Sequence, residues 1–272
     1  MPLGRFLGRP RRLIAVAFAA GFLSACATPP EDAELRAEFE KQNDPIERLN
    51  RGVFEVNYAL DALLLKPAAQ SYRDLVPDYG RDSVRSFLNN LGTPVVLAND
   101  VLQGEAERAR ITVARFLVNT TIGLGGLFDV ATDLGLVYHG EDFGQTLAVW
   151  GTEEGFYLML PLFGPSNPRD GIGLVVDFLI DPFNWYARGY DRAYLTYGRA
   201  GTHAVDHRAR NIDILDELEE TSIDYYSAIR SLYRQRRADE IANGRPSANV
   251  PAPGISGPAA KAPGGDKVSE AE

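Results

Sequence analysis

The sequence is poor in the residue types from which many active sites are built. It has one cysteine and three histidines in 272 residues, which excludes an internal disulfide and a cysteine-rich zinc site. His203 and His207 have zinc-helix spacing, but the residues between them lack the glutamate that makes HExxH catalytic. Two solvated histidines on a helix are the simpler interpretation. No GxSxG elbow of a serine esterase is present.

The glycine-rich segment 123–128 does not fit a dinucleotide-binding loop. Phe128 stands where the last glycine of GxGxxG belongs, and the segment follows a predicted helix rather than a strand. Adjacent carboxylates such as Glu153 and Glu154 do not face each other on a helix. We therefore expect no catalytic residues, no metal site and no cofactor.

The sequence also lacks an apolar run of the roughly 20 residues that a membrane-spanning helix needs. Near the N-terminus four arginines precede an uncharged run over residues 13–25, the pattern of a secretory signal peptide. The run ends in Leu23-Ser24-Ala25-Cys26, which looks like a bacterial lipobox. This predicts that residues 1–25 are removed and that Cys26 carries the acyl chains that anchor the protein. The alternative is ordinary secretion, with Ala25-Cys26-Ala27 as the cleavage site.

Positive charge is scarce outside this signal. The signal holds four of the 28 basic residues and none of the 37 acidic ones, so the remaining chain has 24 against 37, a formal charge of −13. Such a chain is a poor candidate for binding nucleic acid through phosphates, and an anionic bilayer would not attract it. Any contact with lipid beyond the anchor must use apolar surface.

Composition divides the rest of the chain into three parts. Residues 26–43 read as a lipidated N-terminus and tether, 44–243 as one helical domain, and 244–272, with five Pro and five Gly, as a disordered tail. Strand-like alternation is scarce, so the predicted fold class is all-α.

Helix signals give approximate boundaries. Asp44 is the expected N-cap of a first helix that Pro67 ends. Further helices are expected over 81–91, 94–103, 105–119, 168–180, 204–219 and 222–242, the last ending at Gly244. Six acids between Asp213 and Asp224 and four arginines between Arg230 and Arg237 suggest an antiparallel pair of oppositely charged helices, or else a surface for a protein partner.

Three apolar segments are unusual for core helices. Residues 116–128 and 155–168 are uncharged for roughly 13 residues, and 171–180 is interrupted only by Asp177. All are too short to span a bilayer and rich in Gly, Pro and aromatics, as in re-entrant or interfacial elements. The buried core of a soluble domain is the alternative. The aromatic run 181–186 directly after the third segment has the character of a membrane–water boundary, although it is also acceptable as core.

A line of polar residues runs beside the apolar stripe of the first helix. Asn50 and Asn57 lie seven residues apart, with Asp61 on the same side. This line is either a solvated boundary or one wall of a groove for an amphiphile.

Several motifs together resemble the MlaA (VacJ) family of outer-membrane lipoproteins. The resemblance covers residues 43–244, and the motifs that carry it are Asp44-Pro45-Ile46-Glu47 with Asn50-Arg51, 116–120 (FLVNT), 123–131 (GLGGLFDVA), 143–147 (FGQTL), 157–164 (YLMLPLFG), Arg169-Asp170 and 241–244 (IANG). It implies a helical ring embedded in the membrane, with short irregular Gly/Pro-rich apolar segments and a central amphipathic pore.

The resemblance also implies a function and partners. Such proteins remove mislocalised phospholipid from the outer leaflet and pass it to a soluble periplasmic carrier, while a trimeric porin holds the ring in the outer membrane. Ala27 rather than Asp after the cysteine favours the outer membrane. The expected lipid- or pore-contacting residues are Asn50, Asn57, Leu124, Gly125, Gly126, Phe128, Phe156, Leu160 and Phe163.

Two other functions stay open at this stage. A non-catalytic envelope scaffold would carry no bound phospholipid. A periplasmic phospholipase would release lysophospholipid and fatty acid, and would need a nucleophile and base that the sequence does not offer.

Overall fold

The computed structural model describes residues 43–243, which form a set of helices and one small β-hairpin. The predicted signal peptide, Cys26, the tether up to residue 42 and the tail 244–272 lie outside the described residues and stay predictions. Asn43, predicted as the end of the tether, is already bound to the fold: its carbonyl accepts a hydrogen bond from Tyr157 N at 2.7 Å.

The helices follow one another with short connections. In chain order they are α1 (Glu47–Leu60), α2 (Lys66–Leu75), α3 (Asp78–Gln103), α4 (Ala106–Thr121), α5 (Val130–Asp133), α6 (Phe143–Val149), α7 (Pro168–Ile180), α8 (Pro182–Gly189), α9 (Ala193–Arg210), α10 (Ile212–Thr221) and α11 (Tyr225–Ala242). The hairpin, β1 (Leu158–Leu160) and β2 (Gly164–Ser166), lies between α6 and α7. The predicted all-α class is confirmed, with the hairpin as a local exception.

None of the helices between residues 43 and 243 combines the length and the apolarity needed to cross a bilayer. The long helix α3 packs against α4, α6 and α9, while α2 packs against α9. The hairpin lies against α1 on one side and α11 on the other.

The prediction that Pro67 ends the first helix is wrong. A π-helical turn, Asp61–Leu65, follows α1, and α2 continues from it through Pro67 to Leu75. The amide of Lys66 bonds to the carbonyl of Asp61, five residues back. This widened turn makes room for a proline ring that would otherwise collide with the carbonyl four residues before it.

Asp44 does not cap α1, contrary to the prediction. Ile46 occupies the N-cap position without a side-chain hydrogen bond. The Asp44 carboxylate points inward instead, where it accepts hydrogen bonds from Asn50, Tyr226 and Arg230. Hydrogen bonds to these buried partners replace the capping hydrogen bond that Asp44 was expected to make at the start of α1.

Three other predicted helix boundaries are also wrong. The predicted helices 81–91 and 94–103 form one helix, α3, with Pro94 inside it. The predicted helix 204–219 is two helices separated at Asn211. The last helix begins at Tyr225 rather than at 222, with Asp224 as its N-cap. It ends at Ala242 as predicted, but the left-handed residue that terminates it is Asn243 (φ 53°) rather than Gly244.

The predicted charge pairing between the last two helices is wrong as well. The acids of this region pair with earlier elements: Asp213 with Arg73, Asp216 with Lys66 and Asp224 with Arg51. The arginines of α11 likewise reach away from α10, to Asp44, Glu154, Asp142 and Asp170. The opposite charges tie distant parts of the chain together instead of joining neighbouring helices.

Helices α6 and α7 approach each other backbone to backbone at two glycines. A Cβ added to Gly173 would lie 2.4 Å from the backbone nitrogen of Gly144. Asp177 on α7 accepts a hydrogen bond from the amide of Phe143, the first residue of α6. Glycine is required at 173 because backbone atoms occupy the space that a side chain would need.

We expect Gly173→Ala to lower the free energy of unfolding by about 3 kcal/mol, because the backbone of α6 cannot move aside cheaply. Gly171→Ala is the matched control on the same helix, since nothing lies within 4 Å of its added Cβ. It should raise stability by up to about 1 kcal/mol through helix propensity. Thermal unfolding in detergent, followed by circular dichroism, measures both. Equal tolerance of the two alanines would contradict the close approach.

Candidate functional site

The interior of the protein is unusually polar, and its surface carries many large apolar side chains. Within residues 43–243, 21 polar or charged residues are buried against ten hydrophobic ones, while 36 large hydrophobic residues are exposed. Large apolar side chains normally supply the core, and exposed apolar surface of this extent marks contact with another apolar phase or partner. The three apolar segments contribute much of this surface.

Hydrogen bonds and ion pairs join the helices in the interior. Arg237 on α11 donates to Asp142 at 2.7 Å and to Asp170 at 3.0 Å, which links the starts of α6 and α7. Burial alone would raise the pKa of Asp142, but the hydrogen bonds and charge of Arg237 hold that pKa below its usual range. This carboxyl therefore stays ionised at neutral pH.

One buried group has the composition of a catalytic triad but not its geometry. His139, Asp100 and Thr112 lie together, and the same histidine nitrogen, Nε2, is 3.1 Å from the threonine hydroxyl and from both carboxylate oxygens. A proton relay needs the hydroxyl and the carboxylate on opposite ring nitrogens. The hydroxyl also donates directly to Asp100 at 2.6 Å. The group is built to join α3 and α4.

The predicted glycine loop forms an apolar projection after α4, which we call the glycine loop (residues 122–128). Four of its side chains are exposed: Ile122, Leu124, Leu127 and Phe128. Leu124, Gly125 and Gly126 all have positive φ, so the chain turns tightly. The amides of Gly125, Gly126 and Phe128 bond to carbonyls of residues 119–123. Pairing of these amides within the protein lowers the cost of placing the loop in hydrocarbon.

The base of the glycine loop is fixed to α3 through Asn90. Its side-chain nitrogen donates to the carbonyl of Gly125 at 3.2 Å and to the hydroxyl of Thr120 at 3.0 Å. A Cβ on Gly126 would lie 2.4 Å from Asn90 Cβ, so this glycine permits the contact. Gly125 is exposed with open space around it.

A small polar cleft opens beside this contact. Its lining comes from one face of α3, from α4 and from the segment around α5: Ser86, Asn89, Asn90, Thr93, Arg115, Asn119, Asp129 and Tyr138. Arg115 donates to both carboxylate oxygens of Asp129, at 2.8 and 2.9 Å. Burial raises the pKa of Asp129, but hydrogen bonds from Thr132, Arg115 and Asn119 outweigh it and lower that pKa. The cleft is therefore polar with its two charges paired.

The second apolar segment forms the β-hairpin. Leu162 and Phe163 at its tip are 77% and 73% exposed. Phe156 before the hairpin is 38% exposed, and Leu160 at the end of β1 is half-buried. The hairpin tip thus forms a second apolar projection of Leu162 and the predicted residue Phe163, and the predicted residue Phe156 lies just before the hairpin.

Asn50 and Asn57 on α1 form hydrogen bonds to the backbone of this hairpin. The side-chain amide of Asn50 donates to Tyr157 O and accepts from Met159 N. The side-chain amide of Asn57 donates to Leu160 O and accepts from Leu162 N. Asn50 is completely buried, and its side chain contacts protein in this structure. Both asparagines hold the hairpin by pairing backbone groups between Tyr157 and Leu162, and their predicted contact with lipid stays a prediction.

The residues that link the glycine loop to the cleft were not identified from the sequence. Asn90, Arg115 and Asp129 come from three different elements. Asn119 and Asp129 did stand inside the quoted family motifs, as polar residues within or beside an apolar run. A polar residue within an apolar run was the signal that the sequence offered. It does not indicate that α3 forms the other side of the cleft.

We expect Asn50→Ala to lower the free energy of unfolding by about 3 kcal/mol, because it leaves two buried backbone groups unpaired. Asn57→Ala, at a partly buried site of the same helix, should cost about 1 kcal/mol. Denaturant or thermal unfolding in detergent compares the two. A loss at Asn50 no larger than at Asn57 would show that the buried contacts contribute little.

The chain is similar to known proteins in both sequence and fold. The family model described as MlaA lipoprotein matches residues 42–240. A Rickettsia felis protein is 38% identical over 72% of this chain and 77% of its own length. The Shigella flexneri intermembrane phospholipid transport system lipoprotein MlaA is 32% identical over 86% of this chain and 89% of its own length, and its Escherichia coli counterpart is equally similar.

A solved structure has a similar fold. It comes from work on the structural basis for maintenance of bacterial outer membrane lipid asymmetry, and it aligns with a TM-score of 0.64 at 35% identity over 74% of this chain and 99% of that one. Sequence and fold agree over nearly all of the described residues. The chain belongs to the MlaA lipoprotein family.

Proposed function

We propose that this chain is an outer-membrane lipoprotein that removes mislocalised phospholipid from the outer leaflet and passes it to a periplasmic carrier. One observation supports the proposal above all. The polar cleft and the apolar glycine loop meet at Asn90, on a molecule that exposes 36 large hydrophobic side chains within residues 43–243. A phospholipid needs such a pair of surfaces, one for its headgroup and one for its acyl chains.

The proposed mechanism is a passive conduit. The headgroup moves along polar side chains of α3 and α4, while the acyl chains stay against apolar projections such as Leu124 and Phe128. The cleft in this conformation is small, so passage requires the glycine loop to move relative to Asn90. No bond is made or broken, and the direction of transport comes from the affinity of the receiving carrier.

The proposed location follows from the anchor and the apolar surface together. Acyl chains on Cys26 hold the chain at the membrane, with the ring embedded in the periplasmic leaflet of the outer membrane. A trimeric porin would hold the ring, and a soluble carrier would dock on the periplasmic side. Family membership supports this arrangement, because the named relatives are lipoproteins of intermembrane phospholipid transport.

The first experiment is lipid analysis of the detergent-purified protein, together with the phospholipid content of the outer leaflet in cells lacking it. We expect intact phospholipid in the protein and an accumulation at the cell surface. Lipid-free protein with an unchanged outer leaflet would reduce the function to that of a scaffold. Lysophospholipid and fatty acid as products would indicate a phospholipase.

A substitution at Leu124 tests the glycine loop. We expect Leu124→Asp to reduce phospholipid transfer to an acceptor carrier, since a carboxylate among acyl chains costs about 3 kcal/mol. The fold should survive, because Leu124 is 65% exposed and its φ of 52° is a conformation that Asp tolerates better than Leu.

Leu124→Met is the control, since it keeps an apolar side chain of similar size at the same backbone position. Both variants should unfold at nearly the same temperature in detergent as the unsubstituted protein. Transfer by the aspartate variant at the rate of the methionine variant would exclude the loop from the lipid path.

A further inference from the structure

A band of exposed aromatic side chains runs along α8 and the start of α9. We call it the aromatic band, and its members are each between 48% and 76% exposed: Trp185, Tyr186, Tyr190, Tyr194 and Tyr197. None of these residues belongs to the polar cleft or to the glycine loop. Five large aromatic side chains are therefore exposed within 13 consecutive residues, and the proposed lipid path does not account for them.

The packing of the two helices puts the aromatic side chains outside. Helices α8 and α9 contact each other, and their facing sides carry polar pairs: Thr196 donates to Asn184 at 3.1 Å, and Arg199 pairs with Asp181 at 2.5 Å. Tyr186 and Tyr190, four residues apart, have ring centroids 4.9 Å apart. Tyr194 and Tyr197 are three residues apart and lie on the same side of α9.

Two exposed arginines belong to the same stretch. Arg188 lies on α8, with its guanidinium carbon 5.8 Å from the centroid of the Phe178 ring, and Arg192 precedes α9. They stand out because the chain after the signal has a formal charge of −13. Guanidinium groups among tyrosines suit phosphate oxygens, which accept hydrogen bonds from Arg and from phenolic hydroxyls.

The helix before the aromatic band has a different exposed surface. On α7 the exposed side chains are Ile172, Leu174, Val175, Phe178 and Leu179. The chain therefore passes from purely apolar exposure to aromatic rings with cationic neighbours. A bilayer has the same order, from acyl chains to headgroups, because Trp and Tyr combine an apolar body with a polar tip.

We propose that the aromatic band lies at the headgroup level of the bilayer and binds phospholipid phosphates through Arg188 and Arg192. This contact fixes the depth and tilt of the molecule, which acyl chains attached at the single residue Cys26 would not do by themselves. The inference rests on the proposed membrane location. It adds the surface that meets the membrane–water boundary.

Tryptophan fluorescence tests the proposal, since the chain has only two tryptophans, Trp150 and Trp185. Full-length acylated Trp150→Phe protein is placed in phosphatidylethanolamine–phosphatidylglycerol vesicles that contain lipids brominated near the headgroup or near the chain end. We expect the shallow bromines to quench Trp185 about twofold more than the deep ones. A second protein, Trp150→Phe with Trp185→Phe and Phe178→Trp, should show the reverse preference.

The arginines have their own variant. Arg192→Glu should reduce the shallow quenching of Trp185 about twofold, because a carboxylate repels phosphate. Arg110→Glu makes the same change in charge at an exposed arginine of α4 and should leave the quenching unchanged. Equal quenching in both variants would remove Arg192 from the proposed contact.

Other outcomes overturn the proposal. Quenching of Trp185 by neither bromine would mean that water or a protein partner covers the band, and stronger quenching by deep bromines would place it among the acyl chains. The result is independent of transport. Protein that carries phospholipid but leaves Trp185 unquenched contradicts the aromatic band alone, whereas shallow quenching in lipid-free protein contradicts the transport proposal alone.

Discussion

The structure depends on buried hydrogen bonds between side chains that are far apart in sequence. Arg237 joins the last helix to the starts of α6 and α7, and Asp44 joins the first residues of the fold to Asn50, Tyr226 and Arg230. A hydrophobic core cannot replace them, because the buried hydrophobic clusters within residues 43–243 are small: Ala69, Ala209 and Ile212 in one, Tyr157, Met159 and Tyr226 in the other. In contact with lipid, apolar side chains gain nothing by turning inward, and polar contacts hold helices together.

Because polar contacts hold the helices together, the apolar segments can keep irregular shapes. The glycine loop and the hairpin both leave helix geometry, yet several of their backbone amides have partners: carbonyls of residues 118–123 in the first, and Asn50, Asn57 and the paired strand in the second. Unpaired amides in hydrocarbon cost several kcal/mol each. Short, self-satisfied projections can therefore stand at a lipid surface without a helix long enough to span it.

The polar interior also connects the structure to the proposed transport. Since the interior is polar, a headgroup can find hydrogen-bonding groups inside the molecule, while acyl chains find apolar side chains outside. Asn90 stands at the junction, because it contacts the glycine loop and lines the cleft. The aromatic band would complete the arrangement by setting how deep this junction lies in the membrane.

The sequence by itself determined the helical class, the existence of α4, α7 and α11, and the three apolar segments, because helix periodicity and the absence of charge are local properties. It also predicted the anchor at Cys26, from a motif that needs no fold. Only tertiary structure decided the rest. Pro67 and Pro94 stay within helical runs, Asp44 is a buried hydrogen-bond partner instead of a cap, and Asn50 binds the hairpin. Pro67 is accommodated by the π-helical turn directly before it, whereas Asp44 and Asn50 bind residues more than a hundred positions away. A local pattern carries no information about which distant partner will compete for a side chain.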